Sequence, residues 1–181
     1  FQKVDDVIET GQVEQGLTSA LKDLDDITTG FYPGDLIILA ARPAMGKTSL
    51  AMNMAMGAAK TGVNVAVFSL EMTGEQLIRR MLATEAKLPM NIFKRPDISP
   101  RDYRTMADAV ESIYQLPIFI DDTSDISPME LKGKCRRLMS NGPLGLIVVD
   151  YLQLMRSSRK TENRTQEIAE IARNLKQTAK E

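Results

Sequence analysis

The stretch that decides the fold is DLIILA at positions 35–40, followed at once by ARPAMGKT at positions 41–48. The first segment is an apolar run of strand length. The second ends in Gly46-Lys47-Thr48 and matches the pattern G-x-x-x-x-G-K-[ST], with Ala41 in place of the first glycine. Between a strand and a helix, the backbone amides of such a loop surround phosphate groups, helped by the positive end of the helix. The stretch therefore predicts a phosphate-binding site.

The residue types in this loop predict that it binds a nucleotide together with a metal ion. We expect Lys47 to pair with the β- and γ-phosphates of ATP, and the Thr48 hydroxyl to coordinate Mg²⁺. Ala41 departs from the sequence pattern but should affect phosphate binding little, because the backbone approaches the phosphate most closely at Gly46. The predicted nucleotide-binding residues are Ala41, Arg42, Pro43, Ala44, Met45, Gly46, Lys47, Thr48 and Ser49.

Apolar strands alternate with helices along the rest of the chain. Strands are predicted over 63–69, 117–121 and 144–150, and helices over 47–61, 73–87, 100–115, 127–140 and 166–181. This alternation predicts an α/β fold, a parallel sheet with helices on both faces. Ligands of such sheets bind at the carboxyl ends of the strands.

Carboxylates follow three of the predicted strands. Asp150 ends the strand LGLIVVD, where we expect it to hold Mg²⁺, often through water. Glu71 follows FSL and is suited to orienting the water that attacks the γ-phosphate, although an acid near a helix N-terminus is also favoured by the dipole. Asp121 and Asp122 are better explained as turn acids. The residues alone therefore predict catalytic roles for Lys47 and Asp150, and they leave both interpretations of Glu71 open.

A basic stretch follows Asp150. Four cations in nine residues, without apolar anchors, indicate either a loop that contacts DNA phosphates or an ordinary solvated loop. The candidates for DNA binding are Arg156, Arg159, Lys160 and Arg164.

Composition limits the chemistry. Apolar residues make up 43% of the 181 and charged residues 26%, which is typical of a globular domain. The single Cys135 and the absence of histidine argue against zinc and exclude histidine-based catalysis, and they fit a reducing, cytoplasmic setting. No apolar stretch is long enough to span a bilayer. With a net charge of −1, any DNA contact must come from a local basic element or from several assembled copies.

Several motifs together resemble the ATPase domain of bacterial replicative DNA helicases of the DnaB family. They are ARPAMGKT (41–48), FSLEM (68–72), VVDYLQLM (148–155), GLTSALKDLDDITTG (16–30) and NRTQEIAEI (163–171). The resemblance implies a RecA-like P-loop NTPase that forms a homo-hexameric ring around single-stranded DNA and moves 5′ to 3′ using ATP. It also implies Glu71 as catalytic glutamate, the 156–164 loop as the DNA loop in the channel, and primase and a helicase loader as partners.

The resemblance also implies an incomplete domain. Residues 1–16 are interpreted as a linker remnant, and 17–181 as a RecA-like ATPase domain whose last strands and arginine finger lie beyond Glu181. We expect such a fragment to hydrolyse ATP poorly. The alternatives are a RecA-like recombinase or repair ATPase, a non-enzymatic ATP switch, and a small-molecule kinase.

Overall fold

The computed structural model describes residues 15–156 and 163–181. Six helices are named here α1 to α6 and three strands β1 to β3, in chain order. They are α1 Lys22–Thr28, α2 Lys47–Lys60, β1 Asn64–Ser69, α3 Gly74–Glu85, α4 Pro100–Tyr114, β2 Ile118–Asp121, α5 Pro128–Met139, β3 Leu144–Asp150 and α6 Arg164–Ala179. Short 3₁₀ helices cover Met90–Lys94 and Leu152–Leu154. The predicted linker over 1–16 lies almost wholly outside the described residues.

Side-chain caps fix where three helices begin. The Thr73 hydroxyl accepts from the Gln76 amide while the Gln76 side chain accepts from Thr73, which closes a capping box at the start of α3. Ser127 forms the same arrangement at α5, with Pro128 in the first turn. Ser99 caps α4. These starts confirm the predicted ones within a residue, because the cap is encoded locally.

The three strands form one parallel sheet in the order β2–β1–β3. Val67 at its centre pairs with Ile120 on one side and Val148 on the other. Helices cover both faces, as predicted. Met52 of α2 and Leu77 of α3 pack on one face, and Leu131 of α5 and Ile171 of α6 pack on the other; all four are 3% exposed or less.

The predicted strand over 35–40 is wrong. No strand is formed there in the described part of the chain, and Ile37 and Ile38 are 51% and 59% exposed. An apolar run indicates suitability for burial on two faces, but a strand also needs a neighbour to complete its ladder. Only the start of the segment is fixed by contacts. Lys176 donates to the Gly34 carbonyl at 2.6 Å, and Leu36 packs against the apolar cluster on the sheet face covered by α5 and α6.

The segment before the phosphate loop closes on itself. Leu17 and Phe31 exchange backbone hydrogen bonds of 2.8 Å in both directions. Gly16 and Gly30 allow this close approach. A Cβ on Gly16 would lie 2.7 Å from the backbone of Phe31, and a Cβ on Gly30 would lie 2.7 Å from the backbone of Gly16. Among the described residues, no helix has the length and apolarity needed to cross a membrane.

Candidate nucleotide-binding site

The phosphate-loop pattern lies at the N-terminus of α2. Gly46 is the N-cap residue, with φ of 87°, and α2 begins at Lys47. A Cβ on Gly46 would meet no protein atom within 4 Å, so the fold itself requires glycine here for its left-handed backbone. Residues 41–46 are all exposed. The loop is therefore open to solvent with the positive end of α2 behind it.

The side chains of Lys47 and Thr48 converge on Asp150, 102 residues downstream of Thr48. Lys47 Nζ lies 2.9 Å from Asp150 Oδ1, and Thr48 Oγ1 donates to Asp150 Oδ2 at 2.6 Å. Asp150 is 5% exposed, so both oxygens of a buried carboxylate have donors. The two sequence motifs that predicted a phosphate loop and a metal-holding acid thus meet in one site.

The sheet explains how Asp150 reaches the loop. Asp150 is the last residue of β3, and its ladder partner is Ser69, the last residue of β1. The Leu70 amide extends the ladder by donating to the Asp150 carbonyl at 2.8 Å. Both strand ends therefore lie at one edge of the sheet, where the ligands of parallel sheets bind.

Glu71 lies in the turn directly after this edge. The Ser69 hydroxyl spans the turn, donating to the Met72 carbonyl at 2.7 Å and accepting from its amide at 3.2 Å. The Glu71 side chain is exposed, and within the described ranges it makes no hydrogen bond or ion pair. The structure therefore places Glu71 at the correct edge but does not bring its carboxylate into contact with Lys47, Thr48 or Asp150.

Asp121 and Asp122 have structural partners. Burial raises the pKa of Asp121, but hydrogen bonds from Lys134 and Thr123 outweigh it and hold that pKa below its usual value. Asp122 accepts from the Gly74 amide at 2.8 Å, at the N-terminus of α3. These contacts agree with their interpretation as turn acids.

Two of the four candidate DNA-binding cations lie within the described residues, and both are paired. Arg156 lies 3.1 Å from both carboxylate oxygens of Glu130, and Arg164 lies 2.6 Å from Glu167. The Arg156 and Glu130 side chains are both more than half exposed, so that ion pair is weak and exchangeable. The Glu167 side chain is only 17% exposed, and Arg164 also donates to the Gln153 carbonyl, so Arg164 is held more firmly. Arg159 and Lys160 lie outside the described residues.

Sequence reasoning missed two contacts of the site. The Lys47 ammonium lies 4.1 Å from the centroid of the Tyr151 ring, within the range of a cation–π interaction. Arg80 of α3 donates to the Ser49 hydroxyl at 3.3 Å in the first turn of α2. Tyr151 could have been predicted near the site because it directly follows the predicted metal-holding acid. No sequence pattern indicated that Arg80 would contact the loop.

The donors present suit Mg²⁺. This ion is commonly held by one or two carboxylates together with substrate phosphates and water, and Asp150 with the Thr48 hydroxyl provides that hard oxygen set. In the part of the chain that the structure describes, no cluster of three or more acidic, cysteine or histidine side chains offers a self-sufficient metal cage. A cation here would depend on the nucleotide for its remaining ligands.

A phosphate loop capping a helix, opposite a buried acid at the end of a parallel strand, defines a P-loop NTPase of the RecA-like kind. The fold agrees with two solved structures. One is a DnaB-like replicative helicase studied with its primase interactions, with a TM-score of 0.91, 28% identity, and coverage of 98% of this chain and 43% of that chain. The other is described as an ATPase domain, with a TM-score of 0.90, 28% identity, and coverage of 97% of this chain and 63% of that chain.

The chain belongs to the family described as DnaB-like helicase C terminal domain, whose profile matches residues 16–181. The replicative DNA helicase DnaB of Geobacillus stearothermophilus is 45% identical over 92% of this chain, and DnaC of Bacillus subtilis, also a replicative DNA helicase, is 44% identical over the same share. DnaB of Haemophilus influenzae is 44% identical over 92%. The chain spans 37% of the length of the first two relatives and 36% of the third.

Proposed function

We propose that this chain is the ATP-hydrolysing motor of a replicative DNA helicase. The observation that carries the proposal is the convergence of Lys47 and Thr48 on the buried carboxylate of Asp150, at 2.9 and 2.6 Å. Family membership supports it, because the relatives named above are replicative DNA helicases. It does not favour a recombinase, an ATP switch or a small-molecule kinase.

The nucleotide site would work through residues 41–49. The loop amides and the N-terminus of α2 bind the phosphates, and Lys47 neutralises charge on the β- and γ-phosphates. Thr48 and Asp150 would hold Mg²⁺, which withdraws charge from the phosphoryl group when bound. Glu71, exposed at the same sheet edge, is proposed to accept a hydrogen bond from the attacking water and orient it.

The proposed DNA contacts come from the basic stretch after β3. We propose Arg156, Arg159, Lys160 and Arg164 as phosphate ligands. Arg156 would exchange its carboxylate partner for a phosphate, which is feasible because surface ion pairs are worth only about 0–1 kcal/mol. Arg164 would have to leave the less exposed Glu167 to do the same. Assembly of this chain into a homo-hexameric ring would bring six such stretches around one strand of DNA, and the combined field would offset a net charge of −1 per chain.

The remaining proposals rest on the family. Translocation would run 5′ to 3′ on single-stranded DNA, with primase and a helicase loader as partners of the full-length protein. A bacterial replication motor acts where the chromosome lies, so we propose the cytoplasm as its location.

The test follows ATP hydrolysis and strand separation together, using the full-length protein on a forked DNA with a 5′ single-stranded tail. The variants are Lys47→Ala and, as a matched control, Lys94→Ala, since Lys94 is exposed on the 3₁₀ helix Met90–Lys94. We expect unwinding by the wild type and the control but not by Lys47→Ala. DNA-stimulated hydrolysis without strand separation would transfer the assignment to a recombinase, and tight binding without hydrolysis would indicate a switch.

A further inference from the structure

Tyr151 is the one aromatic residue in contact with the phosphate-loop lysine among the described residues. The Lys47 ammonium lies over the ring at 4.1 Å from its centroid and 2.9 Å from Asp150 Oδ1. Asp150, the last residue of β3, therefore holds the ammonium by its charge, and Tyr151, the next residue, holds it by the π face of its ring. We infer that Tyr151 is a positioning residue that, with Asp150, holds Lys47 away from the phosphate position in the nucleotide-free protein, so that the ring competes with nucleotide for the ammonium. This inference rests on the proposed function.

The contacts of Asp150 show what a bound phosphate would have to compete with. Thr48 donates to one oxygen and the Lys47 ammonium contacts the other. Asp150 is thus the counter-charge in contact with Lys47, and the ammonium stands beside the carboxylate that a bound Mg²⁺ would need. The charges of Lys47 and Asp150 therefore balance each other within the site.

The Lys47 side chain is free to move from this position to a bound phosphate. Lys47 is the first residue of α2, its side chain is 26% exposed, and its charge stands on a flexible four-carbon stem. Phosphates bound at the N-terminus of α2 attract the ammonium by rotation of that stem alone. The attraction of the Tyr151 ring is lost in that movement, because a cation–π contact requires the charge to remain over the ring face.

Removal of the ring therefore destabilises the nucleotide-free form and tightens nucleotide binding. Cation–π contacts at partly exposed sites correspond to a change of about two- to fivefold in an equilibrium constant. The direction is the informative part, since a substitution that merely damages the site weakens binding. A ring that instead guided Lys47 onto the phosphates would also show weakened binding when removed.

The experiment measures the affinity of a fluorescent N-methylanthraniloyl ADP, and of unlabelled ATP by displacement, in the absence of Mg²⁺. Tyr151→Leu removes the π face but keeps apolar bulk, Tyr151→Phe keeps the face without the hydroxyl, and Tyr114→Leu makes the same change on a ring that is 89% exposed. We expect Tyr151→Leu to bind about two- to fivefold more tightly, with Tyr151→Phe and Tyr114→Leu at the wild-type affinity. Unchanged or weaker binding by Tyr151→Leu, or tightening by Tyr151→Phe to the same degree, overturns the inference.

A second measurement needs no substitution at Tyr151. In protein with labelled lysines, the side-chain methylene signals of Lys47 are expected upfield because of the ring current, and to return towards ordinary positions when ADP is added. Assignment uses loss of the signal in Lys47→Arg. Ordinary shifts without nucleotide, or shifts that persist at saturation, refute the competition. If folded wild type binds no nucleotide, the proposed function fails and the competition with it; binding without the Tyr151 effects refutes the competition alone.

Discussion

Replacing Lys47 by Met in the nucleotide-free protein deprives a buried carboxylate of its counter-ion. Asp150 is 5% exposed, and its distance from the Lys47 ammonium is 2.9 Å. Breaking a fully buried pair costs about 3–5 kcal/mol, whereas exposed pairs are worth about 0–1 kcal/mol. Because the Lys47 side chain is 26% exposed, we expect the free energy of unfolding to fall by an intermediate amount, about 2 kcal/mol.

A double-mutant cycle isolates this pair from other effects. Asp150→Asn keeps the shape and an oxygen that accepts from Thr48, so its cost is expected to be smaller, about 1 kcal/mol. In the double variant the carboxylate that Lys47 neutralised is gone, and the sum of the single effects overestimates the loss by a coupling energy of about 1–2 kcal/mol.

Urea unfolding monitored by circular dichroism provides the measurement. With a urea slope of about 2 kcal/mol per molar, the Lys47→Met midpoint moves by about 1 M. Lys94→Met is the control for loss of a surface lysine. Effects that add to within about 0.5 kcal/mol would refute the reasoning, because they would show that the two side chains do not stabilise each other in the free protein.

Three further predictions concern other parts of the fold. Gly46→Ala forces a side chain into the left-handed region, so we expect about 1–2 kcal/mol less stability and weaker nucleotide binding; equal stability in thermal unfolding would contradict this. The pKa of Asp121 is lowered in the folded protein, so the stability from its pairing with Lys134 is present above the unfolded pKa and is lost as pH falls through the folded pKa. The Lys134→Met variant is therefore less stable than wild type at pH 7, by about 1 kcal/mol, and the difference shrinks in acid; a pH-independent difference would argue against it. Burial raises the pKa of the Cys135 thiol to about 11, so a disulfide reagent at pH 8 is expected to react only after unfolding, and rapid labelling of native protein would contradict it.

The sequence determined local features best. The starts of α3 and α5 were predicted to within a residue because each capping residue and its partner lie within one turn, and both capping boxes are formed. Strand β3 was predicted with the correct limits because the run LGLIVVD ends sharply at Asp150. The common edge of Ser69 and Asp150 followed from the rule that neighbouring parallel strands end together, whereas the phosphate loop reaches that edge without the strand predicted before it.

Features that depend on a partner distant in the chain were harder to predict from the sequence. DLIILA has the composition of a strand but lacks a ladder partner among the described residues. The pairing of Asp121 with Lys134 requires the position of α5 relative to β2, which no local pattern contains. The roles of Glu71 and of the basic stretch after β3 remain predictions, because each depends on contact with a molecule outside the chain.

The hydrogen bond from the Leu70 amide to the Asp150 carbonyl, 2.8 Å long, has a mechanical consequence. Leu70 immediately precedes Glu71, and Asp150 receives the hydroxyl of Thr48. A force that displaces the Glu71 turn is therefore transmitted to the acid opposite the phosphate loop through one ladder bond and two covalently adjacent residues. In an assembly whose subunits press on one another, load applied at this turn would reach the backbone of both Glu71 and Asp150, the proposed water-orienting and metal-holding residues.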